Sequence, residues 1–261
     1  MTFAPKLIAL DVDGTLVDRT NVMSPAVREV VHAVRDAGIE TVIATGRGIP
    51  GVMEAAGIVG FTEGYAVASN GAVTIAYDPA VEVLNTITFD ASEAVRRVLE
   101  AVPDALVAVE ETGFGFRVNR PFPDGEVTGE YILEDIESLI ARPVSRVIIR
   151  APEQQADDFH RLVEGLGLTD TNYYIGYTAW LDLAPVGVSK ASGLAYLCER
   201  LGFSADDVLA VGDGNNDIEM LRWAGRGVAM GQAPDFVKDA ADAVTGGVLE
   251  DGLVAELGRY V

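Results

Sequence analysis

Cysteine is almost absent from this chain. Cys198 is the single one in 261 residues, which excludes an internal disulfide and fits a reducing compartment. Lysine is scarce as well: Lys6, Lys190 and Lys238 are the whole set, and 19 basic residues face 40 acidic ones. The formal charge of -21 denies the chain the basic surface that nucleic acid or an anionic membrane requires, so neither is expected as a partner. No apolar run approaches the ~20 residues that span a bilayer, and the first residues run straight into a strand without a secretory pattern. A cytoplasmic protein is expected, as a monomer or small homo-oligomer. Low-complexity tracts and internal repeats are missing too. What remains is an ordinary globular composition, 49% hydrophobic and 23% charged, long enough for one large or two modest domains. The acidity reads as a solubility or salt-tolerance device. Cys198 shares an apolar helix stripe with Leu194 and Leu201 and reads as a small core residue.

Two structural grammars alternate along the chain. Lys6–Leu10, Thr41–Ala44 and Tyr65–Ser69 are short apolar runs that predict strands. Between them, Ser24-Pro25 opens a helix as N-cap and first helical residue, with Val27, Val30, Val31 and Val34 at helical spacing and Gly38 closing it. A second helix covers Met53 to Ala56, and Asn70-Gly71 reads as a hairpin turn into Ala72–Tyr77. This alternation predicts a doubly wound parallel α/β sheet, a Rossmann-like core. After Asp78-Pro79 the pattern changes. Val81–Thr88, Leu106–Glu110, Gly115–Val118, Val144–Arg150, Asn172–Tyr177 and Trp180–Ala184 predict strands, with helices only around Ala91–Ala101 and Pro152–Leu166. That is an α+β insert with an antiparallel sheet. From Ser189 the first grammar returns: a helix to Leu201, a strand over Val208–Val211, a helix over Asn216–Ala224, further strands at Arg226–Met230 and Ala243–Val244, and a last helix ending at Tyr260. The expected domains are therefore a discontinuous core of residues 1–80 and 185–261 and an inserted cap of residues 81–184.

Four segments follow directly on apolar runs of the core: Asp11-Val-Asp-Gly-Thr15, Thr45-Gly46-Arg47, Ser189-Lys190 and Gly212-Asp213-Gly-Asn-Asn216-Asp217. In open α/β sheets ligands bind at the carboxyl ends of the strands, and that is where these residues fall. Two of the segments carry acid pairs. Lys190 sits at a helix start, where a cation is disfavoured unless an anion partners it. Gly113-Phe-Gly115 lacks the strand and helix context of a nucleotide-binding loop, and His32 and His160 fall within helical patterns as surface or half-buried residues.

The four motifs resemble those of the haloacid dehalogenase superfamily, and more narrowly its Cof-like sugar-phosphatase branch. Secondary signatures of that branch are Ser69-Asn70-Gly71-Ala72, Gly227-Val-Ala-Met-Gly231 and Glu250-Asp251-Gly252. Ala191 departs from the family, which often has Gly there, and the segment from Val81 to Asp182 matches in length and position but not by motif. The resemblance implies a phosphomonoesterase acting on a small phosphorylated metabolite. Asp11 would be the nucleophile, forming an acyl phosphate that splits hydrolysis into two easier steps. Asp13 would protonate the leaving alkoxide and then accept a proton from water. A strict strand would put both acids on one face, and Thr15 would tie the turn. Asp13-Gly14 read alone is also ordinary turn chemistry. Thr45 and Lys190, with the backbone N–H of Gly46, would grip the phosphoryl oxygens, and Asn216 is either a further phosphate contact or a helix cap. Carboxylates facing a phosphate dianion call for a hard cation, and oxygen ligands point to Mg2+. By resemblance its ligands are Asp11, the backbone carbonyl of Asp13, and Asp213, with Asp217 one step out, holding a metal-bound water or pairing with Lys190. The bland alternative for Asp213 and Asp217 is an acid pair favouring a helix N-terminus. Dehalogenases lack the second Asp and ion-pumping ATPases carry Thr there, so Asp13 points to a phosphatase or phosphomutase. The late position of the cap favours the phosphatase. A non-catalytic phosphometabolite sensor on the same fold would be expected to lose Asp11, Asp13 or Lys190, and all are present. The core can grip only the phosphoryl group, so the cap should read the leaving group; Glu110, Arg117, Arg142 and Trp180 are the candidates, with Arg117 and Trp180 also readable as packing or rim residues.

Overall fold

The computed structural model describes residues 3–78, 80–168, 171–176 and 178–261. The chain folds as two compact units, one comprising residues up to Gly46, 52–84 and 189–261, the other Arg47–Gly51 and Asn85–Val188.

The first unit is built on a sheet whose strands, in chain order, are β1 (Leu7–Leu10), β2 (Glu40–Ala44), β3 (Gly64–Ala68), β4 (Val73–Asp78) and β5 (Ala80–Thr86). After the insert come β12 (Val208–Gly212), β13 (Arg226–Ala229) and β14 (Ala243–Val244). Their order across the sheet is β14-β13-β12-β1-β2-β3-β4-β5. Pairing is parallel from β14 through to β3, and β4 turns back antiparallel on β3. The central strands β1, β2 and β12 run to four or five residues, almost all buried, as expected of a parallel sheet covered on both faces. One face carries Leu7, Ala9, Val42, Ala44, Val208 and Ala210, which pack with Leu194 and Leu197 of α6 (Lys190–Leu201) and with Met220 and Leu221 of α7 (Ile218–Trp223). Helix α1 (Pro25–Asp36) packs with α9 (Gly252–Leu257). It begins as expected, with the Ser24 side chain accepting from the Val27 N–H and Pro25 at the first helical position.

Strand order reverses at β1, which lies between β12 and β2. The chain grows outward on one side through β2 and β3 and on the other through β12, β13 and β14. Such a switch point leaves a crevice at the carboxyl ends of the strands.

The second unit contains β6 (Leu106–Glu111), β7 (Gly115–Val118), β8 (Glu130–Leu133), β9 (Val147–Arg150), β10 (Asn172–Ile175) and β11 (Trp180–Ala184), in the order β10-β11-β9-β6-β7-β8. Pairing is antiparallel except between β7 and β8. Val95 and Val98 of α3 (Ser92–Ala101) and Phe159 and Val163 of α5 (Ala156–Gly165) share one buried cluster with Val107, Val109, Val147, Ile149, Leu181 and Leu183. The α+β character expected of the insert is present. Among the described residues no helix is long and apolar enough to cross a membrane.

Some elements differ from the sequence expectation. The run from Val81, read as the first strand of the insert, is β5 and forms the edge of the core sheet. Apolar alternation does not state which sheet a strand joins, and this one is mostly exposed. Strand β8 went unread because all four of its residues are exposed, so no buried face marks it. Of the strand expected over Asn172–Tyr177, the last residue lies outside the described residues, as does Pro79. At Asn70-Gly71 the backbone is left-handed, with φ of 53° and 101°, and the turn does join the antiparallel pair β3 and β4. His32 and His160 bond through Nε2 to the carbonyls of Val59 and Gly176, which are structural contacts.

Cys198 is buried on α6 with only 3% of its surface exposed. Burial, with a smaller push from Asp207, moves its thiol up to about 11. At pH 8 only about one thiol in 10³ would be ionised, and the thiolate is the reactive form. A disulfide reagent should therefore titrate no thiol in the native protein at pH 8 and one per chain in guanidinium. Rapid reaction of the native protein would contradict this packing.

Candidate active site

Asp11 is the first residue after β1, and its N–H donates to the carbonyl of Val211 on β12. The chain then turns at once. The N–H groups of Leu16 and Val17 donate to the Val12 carbonyl, and Gly14 N–H donates to Val17. Asp13 is thus in a turn and not on a continuing strand. It is exposed while Asp11 is buried, so the shared strand face expected of the pair is not what brings them together. The charge of Asp13 still reaches both Asp11 and Asp213. Thr15 is buried, and its hydroxyl makes no hydrogen bond among the described residues; backbone bonds close the turn instead. Gly14 has a φ of 87°, and a Cβ there would collide with the Asp213 carboxylate. Glycine is required both by conformation and by this close approach.

Lys190 opens α6 after Ser189, whose side chain and that of Ser192 form a capping box. Its side chain is wholly buried. Nζ donates to Asp11 Oδ1 at 2.6 Å and to Asp217 Oδ1 at 2.6 Å. Burial opposes its charge, but Asp11 and Asp217 outweigh this and raise the ammonium pKa, so it stays protonated through the physiological range. The anion partner that a cation at a helix start demanded is therefore a pair of acids. Asp217 uses its other oxygen, Oδ2, to accept from the N–H groups of Asp213 and Gly214 at 3.0 and 2.8 Å. Both of its oxygens are engaged, and it buckles the loop after β12 to Lys190. A Cβ on Gly212 would strike its carboxylate.

Thr45 follows β2. Its N–H donates to Val67 and its carbonyl accepts from Asn70. Beside it, Asn216 Nδ2 donates to Asn70 Oδ1 at 2.8 Å, and a Cβ on Gly46 would lie 3.1 Å from that same oxygen. Asn70, a turn residue and part of the Ser69-Asn70-Gly71-Ala72 signature, links Thr45 to Asn216. Gly71 next to it lies against Ser189, where a Cβ would collide with the carbonyl. The β3–β4 turn is thus the floor on which Lys190 is set.

Asp11, Asp213 and Asp217 each bring a carboxylate oxygen within 4.8 Å of the others, an arrangement able to hold a metal ion. Burial first, and then Asp217, push the Asp11 carboxyl well above the usual range, with Lys190 opposing. Asp213 is pushed up to about 6, again chiefly by burial, against a hydrogen bond from Gln232. Lys190 supplies one positive charge against four carboxylates. Hard oxygen donors crowded at the cost of their own ionisation fit a divalent cation such as Mg2+.

The insert candidates belong to the second unit. Arg117 is buried and bonds to Glu111, Glu134 and the Ser138 carbonyl. Arg142 is exposed and pairs with Glu111. Trp180 donates to Asp182 Oδ2 and stands edge-on to Phe122. Glu110, Arg117 and Arg142 line one small cavity of about 120 Å³ within the insert, which Trp180 does not reach.

Fold and site together define an α/β protein with a cation-competent carboxylate cluster at the switch point of its sheet. The chain matches the model of the haloacid dehalogenase-like hydrolases over residues 8–257 and belongs to that family; the likeness read from the four motifs, to its Cof-like branch included, holds. It is 26% identical to a 5-amino-6-(5-phospho-D-ribitylamino)uracil phosphatase of Bacillus subtilis, over 98% of this chain and 96% of the relative. It is 29% identical to a phosphoglycolate phosphatase of Archaeoglobus fulgidus, with the same coverage of 98% and 96%. A solved phosphatase of the haloalkanoate superfamily from Bacteroides thetaiotaomicron superposes with a TM-score of 0.80 at 29% identity, over 99% of this chain and 96% of that one.

Proposed function

We propose that this chain is a Mg2+-dependent phosphoric monoester hydrolase that cleaves a small phosphorylated metabolite through an aspartyl phosphate on Asp11. The observation that carries this reading is the wholly buried Lys190, held between Asp11 and Asp217 at the switch point of the sheet. Asp11 attacks phosphorus, and the bond to the ester oxygen breaks. Asp13, exposed and close to Asp11, gives that oxygen its proton. Asp13 then takes a proton from the water that attacks the acyl phosphate, the bond from phosphorus to Asp11 breaks, and phosphate leaves. Lys190, Thr45 and the Gly46 N–H hold the phosphoryl oxygens, fixed donors of the kind that dominate such catalysis. Asn216, oriented by Asn70, stands next to them. Bound to Asp11, Asp213 and the Asp13 carbonyl, Mg2+ would neutralise the charge of the phosphoryl group. Asp217, with both oxygens engaged, holds Lys190 and the β12 loop in place. The named phosphatases among the relatives support a small phosphomonoester as substrate. We assign the choice of leaving group to the insert, with Glu110 and Arg142 at its cavity and Arg117 bracing the wall, and we place the protein in the cytoplasm.

Hydrolysis of p-nitrophenyl phosphate tests this reading. Activity should require MgCl2, vanish in EDTA and return on adding the metal back. Magnesium should also raise the melting temperature, since a ligand at 100 times its Kd stabilises the native state by about 2.7 kcal/mol. Full activity in EDTA would remove the metal from the account. A panel of phosphorylated sugars, phosphoglycolate and ribityl phosphates would then identify the leaving group.

A further inference from the structure

The segment Gly227–Gly231 and the Glu250-Asp251-Gly252 turn stand out in the sequence, but the chemistry above leaves them unused. Gln232 connects them to the site. It follows β13 and is itself exposed, yet its amide is fully committed. Nε2 donates to the Gly14 carbonyl at 2.6 Å and to Asp213 Oδ2 at 3.0 Å, while Oε1 accepts from the Val248 N–H at 2.9 Å. A backbone N–H can only donate, so Val248 fixes Oε1 on its own side and turns the NH2 toward the two acceptors. Both amide hydrogens are then spent, one on each motif loop. Val248 is held in turn. It leads into the turn where Glu250 Oε2 accepts from Gly247 N–H and where Asp251 Oδ1 accepts from Ser24 Oγ, the N-cap of α1.

The Asp213 carboxylate needs such a tether. It is only half-buried and has acidic neighbours. The loop that carries Asp13 meets it at Gly14 with no room for a side chain. We propose that Gln232 is a positioning residue for the cation site: it locks the Asp213 carboxylate to the Gly14 carbonyl, and so fixes the spacing between the Asp11–Asp13 loop and Asp213 that one cation must bridge. This inference rests on the Mg2+ site proposed above.

The test is calorimetric titration of MgCl2 into the purified full chain, comparing wild type with Gln232→Met and Gln232→Asn. Methionine keeps length but has no hydrogens to donate; asparagine keeps the amide but is one methylene too short to span both loops. Losing a partner that holds a metal ligand in place typically costs about 10–100-fold in metal affinity, so the Mg2+ Kd should rise roughly tenfold or more. In turnover, the magnesium concentration for half-maximal rate should rise in parallel, while kcat at saturating metal falls less. A residue that merely supports the fold would lower the melting temperature and leave the Kd of the folded protein unchanged. Wild-type Mg2+ affinity in either folded variant overturns the assignment. If the wild type itself bound no Mg2+, the failure would lie with the proposed metal site, because no affinity would exist for Gln232 to tune.

Discussion

Asp11→Asn should abolish turnover, with kcat down by at least about 10⁴, while the protein stays folded. The amide fills the volume of the carboxylate and still accepts from Lys190 Nζ, the contact made at 2.6 Å in the native site. It cannot form an acyl phosphate. In EDTA the melting temperature of this variant should be no lower than that of the wild type. Burial, Asp217, Asp213 and Asp13 all oppose a charge at position 11, and Lys190 favours it. Steady-state hydrolysis of p-nitrophenyl phosphate and a thermal melt check both parts. Residual turnover above a few per cent, with contaminating phosphatase excluded, would remove Asp11 from the nucleophile role. The neighbouring Asp13→Asn should behave differently, slowing leaving-group departure least when the leaving group is a good one.

Lys190→Met should reduce both activity and stability. Loss of one fixed donor to the phosphoryl oxygens costs roughly 10²–10³ in rate. Stability falls because the ammonium is the shared partner of Asp11 and Asp217, whose side chains are 7% and 0% exposed. Removing one side of a buried ion pair strands the other, at a cost of about 3–5 kcal/mol. Here two carboxylates are stranded, and the β12 loop that Asp217 holds loses its anchor. Urea unfolding in EDTA should show a clear loss of midpoint, and MgCl2 should recover part of it by supplying a replacement charge. A variant with near wild-type kcat/KM and an unchanged midpoint would show that Lys190 is a bystander.

The candidate site residues were legible because each obeys a local rule that the fold then honours. Asp11, Thr45 and Asp213 directly follow short apolar runs, and those runs became β1, β2 and β12 at the switch point. Lys190 announced itself by sitting where a helix disfavours a cation, and the structure shows the anions that reverse that penalty. What stayed hidden depends on pairs distant in sequence. Asn70 looked like hairpin chemistry, but its second role as partner of Asn216 joins residues 146 positions apart. Gln232 reaches Gly14 across 218 positions, and no periodicity or cap rule marks an exposed glutamine after a glycine. Asp13 was misplaced onto the strand face of Asp11 because period-two reasoning carries on where the strand has already ended at Leu10. The run from Val81 had the right conformation and the wrong sheet, since partner choice is a tertiary fact.

The measurement that bears most directly on the central claim is capture of the covalent intermediate. The enzyme, turning over p-nitrophenyl phosphate with MgCl2, is quenched in acid within milliseconds and treated with sodium borodeuteride, which reduces an acyl phosphate to the deuterated alcohol. Peptide mass spectrometry should then find homoserine in place of aspartate at position 11 and nowhere else, and none in Asp11→Asn or in enzyme quenched without substrate. Reduction at another acid, or at none while p-nitrophenol is released in a burst, would contradict phosphoryl transfer through Asp11.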